Sequence, residues 1–338
     1  MSVEQRWLKA AYHGSRWLTP LYPLGFLYRY LMMWRNTRYH TGKKPVFKAG
    51  VPVIVVGNIT LGGTGKSPLV AWLVNWLRTQ GWSPGIITRG YGGKASHYPL
   101  EVTALTDPAQ SGDEPLMLVQ QTSCPVVADP HRARGVKTLV DKGCDIIVSD
   151  DGLQHLALGR DIELVVIDGA RGLGNGWCLP AGPLRESPSR LAQVDAVIIN
   201  GEQCCPLPVE GIAMQLAPLS WRRMRDGQRV PITPLPFVPP VNAVAGIGHP
   251  ERFFNTLRSL GVDGEMRPLA DHQRFDDQTF RFSHQRPVVM TAKDAVKCQA
   301  FAPPDSWVLE VEALLPPEFE HWLAAKLSAL SKKGYTDG

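Results

Sequence analysis

The chain has 338 residues, of which 44% are hydrophobic and 20% charged, with a formal net charge of +5. This composition is that of a folded globular protein and excludes disordered, collagen-like and fibrous classes. The length allows one large α/β domain or two modest ones, and we expect two lobes.

The basic charge lies at the start of the chain. Residues 1–48 carry nine Lys or Arg side chains against the single acid Glu4, a net charge of +8 that leaves −3 for the remainder. Because the excess is confined to one end, the sequence does not indicate a nucleic-acid-binding surface, and we expect no nucleic-acid partner.

The same segment is rich in aromatic residues and has helical spacing. Its longest uncharged run, between Arg16 and Arg29, is interrupted by Pro20 and Pro23 and is far shorter than the roughly 20 apolar residues of a membrane crossing. We therefore predict that 1–48 is an amphipathic helical segment lying in a lipid headgroup layer. The alternative is an N-terminal arm packed on the protein's own core.

From Pro52 onward, short apolar runs alternate with helical stretches. Predicted strands include PVIVVGN, PGIITRG, PVVADP, CDIIVSDDG, ELVVIDG and DAVIIN, with helices from about Pro68 to Gln80, after Glu114 and around HRARGVKTLVDK. This alternation predicts an α/β fold with a parallel sheet flanked by helices.

The alternation pauses in a proline-rich stretch and then resumes. We place a nucleotide-binding core lobe at 49–205 and a smaller C-terminal α/β lobe at 241–338. Between them, residues 206–240 form either a connector or a few β-strands. The last lobe contains the runs VNAVAGIG, PERFFNTLRSLG, RPVVMTAKDAV, SWVLEVEA and PEFEHWLAAKLSAL.

The segment GNITLGGTGKSPL, residues 57–69, predicts a nucleotide phosphate site between a strand and a helix. The Walker A pattern requires glycine at position 60, where this chain has threonine, but the later glycines still allow the positive φ of an anion-binding nest. Lys66 can reach the β- and γ-phosphates, and the Ser67 hydroxyl can meet Mg²⁺. We call residues 60–67 the phosphate loop; its nucleotide-binding candidates are Thr60, Leu61, Gly62, Gly63, Thr64, Gly65, Lys66 and Ser67.

A hydrolytic switch and a small-molecule kinase can share such a loop, so the acceptor depends on other residues. Asp150 and Asp151 end an apolar strand, where a carboxylate can organise a metal ion and phosphates; the alternative is a plain Asp-Asp-Gly turn. Asp113 and Glu114 precede a helix with Pro115 at its expected first position, which fits a base, a metal ligand or a simple helix cap. His272, after Asp271 in an expected loop, is a catalytic candidate or a solvated side chain.

Several blocks in chain order make the sequence similar to one family, the tetraacyldisaccharide 4'-kinases, also called lipid A 4'-kinases. The blocks are GNITLGGTGKSP, TRGYGG, SGDEP, ADPHRARG, SDDGLQH, GPLRE, AGIGHPERFF, DHQRF and TAKDAVK. The family's own loop resembles GN-x-T-x-GGTGKSP, which accounts for the threonine at position 60.

The resemblance implies transfer of the ATP γ-phosphoryl group to the 4'-hydroxyl of tetraacyldisaccharide 1-phosphate, giving lipid IVA. It implies a P-loop NTPase-like fold and a peripheral protein on the cytoplasmic side of the Gram-negative inner membrane. Its partner would be the acylated disaccharide lipid, with no obligate protein partner evident.

The resemblance also implies roles for single residues. Asp113 would be the base and His272 its partner, with Lys66 on the phosphates. Ser67, Glu114, Asp150 and Asp151 would serve Mg²⁺, and Lys293 and Asp294 would lie near ATP.

The rival interpretation is a membrane-associated P-loop ATPase switch without a lipid acceptor. Such ATPases often carry a second lysine early in the loop, where this chain has Leu61. A GTP-dependent switch would carry an N-K-x-D motif that binds the guanine base, and in the segment TAKD of this chain the lysine is at the wrong position for that motif. Both departures weaken the rival.

Overall fold

The computed structural model describes residues 3–270 and 273–331, with helices packed on both faces of one long sheet. The α-helices of these residues are α1 Val3–His13, α2 Tyr22–His40, α3 Lys66–Thr79, α4 Pro108–Ser111, α5 Asp113–Thr122, α6 Arg132–Asp141, α7 Pro250–Ser259, α8 Ala292–Cys298 and α9 Pro317–Ser331. Shorter 3₁₀ turns span Arg16–Leu21, Pro188–Gln193 and Asp277–Phe280.

The strands, in chain order, are β1 Val53–Gly57, β2 Pro84–Thr88, β3 Leu100–Val102, β4 Val126–Ala128, β5 Ile146–Asp150, β6 Ile162–Asp168, β7 Ala196–Asn200, β8 Ile212–Arg223, β9 Arg229–Val230, β10 Val241–Ala245, β11 Gly264–Pro268, β12 Val288–Thr291 and β13 Ser306–Leu314. They form one sheet in the order β11-β10-β12-β13-β8-β7-β6-β1-β5-β2-β4-β3, with β9 paired to β8.

The first lobe is built around the parallel strands β7, β6, β1, β5, β2 and β4. β1, β5 and β6 are buried along their whole length, as expected for apolar strands covered on both faces. Leu69 and Leu73 of α3 pack on one face, while Val136 and Leu139 of α6 pack on the other. The predicted α/β class, with helices flanking a parallel sheet, is confirmed.

A smaller second lobe contains β10, β11, β12 and β13, which pair in parallel. The twelve-residue strand β8 joins the two lobes. Residues 212–214 pair in parallel with β7, and residues 215–223 pair antiparallel with β13. Because β8 belongs to both halves of the sheet, the lobes are connected by backbone hydrogen bonds.

The last helix returns to the first lobe. Phe319 of α9 lies in the same core as α3, Trp76 Nε1 donates to Glu320 Oε2 at 3.2 Å, and Lys326 Nζ lies 2.9 Å from Asp195 Oδ1. The chain therefore crosses between the lobes at β8 and again after β13.

Two helix starts bear on the site, and the first of them differs from the sequence prediction. The helix expected to begin at Pro115 begins at Asp113, because Gly112 with φ 84° takes the N-cap position without a side-chain cap. The apolar run RPVVMTAKDAV divides into β12 and α8, and the side chain of Thr291 caps α8 by accepting from the Asp294 N–H. α5 consequently begins at Asp113, and the first turn of α8 carries Lys293 and Asp294.

The N-terminal segment is helical, as predicted. In the described residues no helix is long and apolar enough to span a membrane. Leu18 and Gly25 are buried against the protein, and the Tyr22 ring stacks on Trp177 with centroids 4.1 Å apart. One side of this segment is therefore packed on the first lobe.

Candidate active site

The phosphate loop joins β1 to α3 at the carboxyl edge of the parallel sheet. Lys66 is the first residue and Ser67 the second residue of α3, after Gly65 at the N-cap with φ 88°. A Cβ on Gly65 would lie 2.2 Å from Asn200 Nδ2, so no side chain fits there. The free N–H groups of the first helical turn, together with the positive end of the helix dipole, can bind an anion at this position.

The earlier part of the loop is held by neighbouring backbone. Thr60 forms a β-bridge with Leu184 and is 1% exposed, and the Leu61 N–H donates to Pro183 O at 2.8 Å. A Cβ on Gly63 would lie 3.7 Å from backbone atoms of Gly248 in the second lobe. The loop therefore lies where the two lobes meet.

Lys66 contacts one of the predicted acidic pair. Its Nζ lies 3.4 Å from Asp151 Oδ1, and Arg185 Nη1 lies 3.3 Å from the same oxygen. Burial raises the pKa of the Asp151 carboxyl, but the charges of Lys66 and Arg185 outweigh it and lower the pKa below its usual value. Asp151 is therefore an anion fixed beside the phosphate loop, with a strained backbone φ of 48°.

Asp150 has the opposite environment. It is 1% exposed, and among the described residues neither carboxylate oxygen has a hydrogen-bond partner. Burial and the charge of Glu114 raise its pKa to about 7, against opposing effects of Lys66 and Arg132. A buried carboxylate without a donor is costly unless a cation or proton satisfies it.

Arg132 supports the strand end that carries this acid. It is 2% exposed and donates to Asp129 O and to Asp150 O, each at 3.1 Å. Burial lowers its pKa to about 10, which still leaves it charged at neutral pH. A cation at this position fixes the β5 backbone and contributes positive charge to the site.

Helices α5 and α8 bring acids and lysines from the two lobes together. Lys293 Nζ lies 3.3 Å from Glu114 Oε1, and Lys297 Nζ lies 4.0 Å from Asp113 Oδ2. The two lysines are four residues apart and therefore share a helix face. These pairs put the predicted base and a predicted metal ligand at the boundary between the lobes.

Asp294 is held within its own lobe. Its carboxylate is fully buried and accepts from Thr291 Oγ1 at 2.7 Å, from the Gly246 N–H at 3.0 Å and from Lys297 Nζ at 3.0 Å. All its oxygens are engaged in ordering the α8 start and the β10–α7 turn. His272 and Asp271 lie outside the described residues.

A cavity of about 860 Å³ opens beside Asp113. The first lobe lines it with Tyr91, Lys94 and residues 104–109, and the second lobe with residues 273–275, 296–297 and 299–301. Leu105 is 95% exposed there. The cavity thus combines apolar and basic groups on the side of the sheet that carries Asp113.

The site includes residues that the sequence analysis did not single out, namely Arg132, Arg185, Asn200 and Lys297. Arg132, Arg185 and Lys297 lie in the quoted blocks ADPHRARG, GPLRE and TAKDAVK. The spacing of Lys293 and Lys297 was a usable signal, because residues four apart on a helix face the same way. No local pattern connects Asn200 with the phosphate loop 136 residues away.

Comparison with known proteins identifies related sequences along nearly the whole chain. The sequence profile of the tetraacyldisaccharide-1-P 4'-kinase family matches residues 17–328. Tetraacyldisaccharide 4'-kinases from Pseudomonas putida (strain W619) and Azotobacter vinelandii (strain DJ) are 47% and 46% identical over 331 residues; the matches cover 98% of this chain and 98% and 99% of the relatives.

A solved structure is similar as well. The crystal structure of LpxK from Aquifex aeolicus in complex with ATP matches with a TM-score of 0.77 and 25% identity, covering 92% of this chain and 99% of that chain. The structural similarity therefore extends over both lobes, and the similar protein binds ATP.

Proposed function

This chain belongs to the tetraacyldisaccharide 4'-kinase family and catalyses ATP-dependent 4'-phosphorylation of tetraacyldisaccharide 1-phosphate in lipid A biosynthesis, and we propose how its residues carry out the transfer. The observation that carries the proposal is the meeting of the phosphate loop, Asp150, Asp151 and Asp113 at one edge of the sheet. Phosphoryl transfer depends mostly on positioning and charge neutralisation, which such a cluster supplies.

We assign the triphosphate to the phosphate loop. The N–H groups of residues 62–67 and the Lys66 ammonium bind phosphate oxygens, and Asp151 and Arg185 hold the lysine and its surroundings in place. Lys293 approaches from the second lobe through its pair with Glu114. Nucleotide binding then bridges the two lobes, which limits the access of water to the γ-phosphate.

We assign the role of general base to Asp113. Its position in the first turn of α5, beside the cavity, lets it accept the proton of a sugar hydroxyl that enters from that cavity. His272 is proposed as its partner, on the resemblance to the family. Because these residues come from different lobes, the proton transfer would require the lobes to be closed.

The residues present fit a magnesium ion. Asp150 has two buried oxygens without hydrogen-bond partners in the described chain, and the hydroxyl of Ser67 and the carboxylates of Glu114 and Asp151 are the other proposed oxygen ligands. The described residues contain no group of three or more His, Cys, Asp or Glu side chains arranged for a metal ion. A site with so few protein ligands suits Mg²⁺, because this ion usually takes one or two carboxylates together with phosphate oxygens and water. When bound, the ion would neutralise charge on the phosphates.

The acceptor sugar is assigned to the cavity beside Asp113. The loops after β2 and β3 line this cavity, whereas Asp168 and Asn200 end β6 and β7 on the other side of β1. In open parallel sheets, ligands bind outside the carboxyl ends of the strands. We therefore place the acceptor on the β5–β2 side of the phosphate loop.

We propose that the N-terminal segment holds the protein on the inner membrane's cytoplasmic face. Large exposed apolar side chains are concentrated between residues 17 and 34, at exposures of 50–65%: Trp17, Leu24, Phe26, Leu27, Tyr30, Leu31, Met33 and Trp34. An apolar surface of this kind beside basic residues suits an anionic lipid headgroup layer. The packed side of the same segment anchors it to the kinase.

Transfer of label from [γ-³²P]ATP tests the proposal. With a purified tetraacylated disaccharide 1-phosphate, the kinase moves the label to the lipid in proportion to enzyme. Release of free phosphate at the same rate with and without lipid would instead support the ATPase switch. A protein that neither labels the lipid nor releases phosphate would contradict both interpretations.

A further inference from the structure

Three side chains from distant parts of the chain donate hydrogen bonds to carbonyl groups of the phosphate loop. Tyr12 Oη donates to Leu61 O at 2.6 Å, and Asn200 Nδ2 donates to Thr64 O at 3.0 Å. Arg171 Nη2 donates to Gly63 O. Three peptide groups of the loop are thus fixed by side chains that lie outside the loop.

Two of these donors support each other. The Arg171 guanidinium lies over the Tyr12 ring at 4.9 Å from its centroid, and Arg171 Nη2 is also paired with Asp168 Oδ2 at 3.2 Å. Asp168 is 1% exposed and is also bound by Arg252 of α7 at 3.1 Å. Burial raises the pKa of the Tyr12 phenol, which therefore remains a protonated donor at neutral pH.

The direction of each carbonyl determines the direction of the next N–H. In a planar trans peptide the C=O of one residue and the N–H of the following residue point in opposite directions. When Leu61, Gly63 and Thr64 turn their carbonyls toward these donors, the N–H groups of Gly62, Thr64 and Gly65 turn the other way. Glycines at 62 and 65 allow the required positive φ of 93° and 88°.

A nest that binds phosphate needs these N–H groups fixed before the ligand arrives. A loop with free peptide groups would lose conformational entropy on binding and would bind more weakly. Arg171 also lies against the loop surface, because a Cβ on Gly62 would be 3.0 Å from its Nη1. The contacts to the loop carbonyls therefore restrict peptide rotation at the point where the phosphates are proposed to bind.

We propose that Tyr12 and Arg171 are positioning residues for ATP, which orient the phosphate-loop N–H groups by holding the carbonyls of Leu61 and Gly63. The inference rests on the proposed nucleotide site. It assigns to α1, which belongs to the lipid-facing segment, a second role in nucleotide affinity.

Tyr12→Phe is the decisive variant, since it removes the donor and keeps the ring under Arg171. We expect the dissociation constant of a fluorescent ATP analogue to rise about five-fold, the usual effect of one lost hydrogen bond. The KM for ATP should rise in parallel, while the KM for the lipid acceptor and the melting temperature stay near those of the parent. Arg171→Met should raise the dissociation constant for the ATP analogue further than Tyr12→Phe does. Because the two residues act together, the double variant should raise it by less than the product of the two single-variant factors.

Two control variants make the test specific. Tyr98→Phe makes the same chemical change at a phenol that contacts Ala95 N rather than the loop, and it should leave ATP affinity unchanged. Trp7→Phe removes the bond from Trp7 Nε1 to Pro180 O at 3.1 Å, which seats α1 without touching the loop.

The proposal is overturned if Tyr12→Phe binds ATP as the parent does, or if Trp7→Phe weakens binding equally, which would indicate a loosened helix. Binding is measured without lipid acceptor or turnover. A parent that binds ATP but phosphorylates no lipid would therefore contradict the proposed function and leave this test intact.

Discussion

The Lys66 ammonium lies 3.4 Å from a carboxylate oxygen of Asp151, at the point where the phosphate loop meets the end of β5. In the proposed function, this pair positions the lysine for contact with phosphate oxygens. Lys66→Met should lower product formation by at least about 10²-fold, because the charge that neutralises the transferred group is lost. Initial rates at saturating ATP and lipid measure the effect.

Lys142→Met is the matched control for that variant. Lys142 pairs with Glu101 at 2.8 Å on the surface, away from the site, so its replacement should change the rate by less than about two-fold. A Lys66 variant that binds ATP and forms product like the parent would contradict the assignment of the phosphate loop.

Asp113 and His272 are expected to act as one unit. A positioned general base contributes roughly 10² to 10⁴ in rate, so Asp113→Ala should lower kcat by a factor in that range and His272→Ala by a smaller one. If the two residues are coupled, the double variant should be hardly slower than Asp113→Ala. A double variant that shows the full product of the two factors would rule out a dyad.

Asp150 should make the stability of the nucleotide-free protein depend on pH. Its folded-state pKa of about 7 lies above the ordinary value of 3.8, so the folded state holds this proton more tightly than the unfolded state. The stabilising contribution is complete below about pH 4 and is lost as pH rises through about 7. Asp150→Asn removes the titration and should raise the melting temperature relative to the parent at pH 8 by a few degrees, and by much less at pH 5.

Thermal unfolding in the presence of a chelator measures that difference. Mg²⁺ with ATP should reverse its sign, because the parent gains a ligand that the variant binds poorly. A melting-temperature difference that is the same at pH 5 and pH 8 would show that Asp150 does not titrate in this range.

Lys297 connects the second lobe to Asp113. Lys297→Met leaves the buried Asp294 without its cation and removes the positive charge 4.0 Å from Asp113. We expect a loss of roughly 3–5 kcal/mol in the free energy of unfolding and a kcat at least about ten-fold lower.

Lys297→Arg should recover much of the stability but less of the rate, because a guanidinium differs in shape from an ammonium. Lys326→Met, at an exposed pair between α9 and Asp195, should change neither quantity measurably. Unaltered kcat in a folded Lys297→Met protein would remove Lys297 from the site.

The exposed apolar side chains of α2 should control membrane binding. Phe26 and Trp34 are 65% and 51% exposed, so Phe26→Ser with Trp34→Ser should leave stability nearly unchanged. Partitioning onto vesicles of phosphatidylethanolamine and phosphatidylglycerol should fall at least about ten-fold. Val238→Ser, at a residue 81% exposed in the second lobe, is the control; equal partitioning of all three proteins would contradict membrane contact through α2.

Much of the first lobe was predictable because its signals are local. Buried parallel strands are continuous apolar runs, as in PVIVVGN and ELVVIDG, and the glycines before Lys66 mark a turn into a helix. Asp150 and Asp151 could be placed at the carboxyl edge of the sheet because they directly follow an apolar run. The fold class and the proposed nucleotide site both follow from patterns within about a dozen residues.

Contacts between distant segments decided the rest. No periodicity predicts that β8 pairs with β7 over three residues and with β13 over the remainder, or that Tyr12 reaches a carbonyl 49 residues away. The raised pKa of Asp150 and the lowered pKa of Asp151 also have tertiary causes, since adjacent residues in the sequence differ in burial and in charged neighbours. The sequence alone determined which chemical groups the protein carries and which strand or helix presents them, because backbone conformation follows local pattern. Only the packed structure decided which of these groups meet. Hydrogen bonds and charge interactions act over a few ångströms in space, whatever the separation of the residues along the chain.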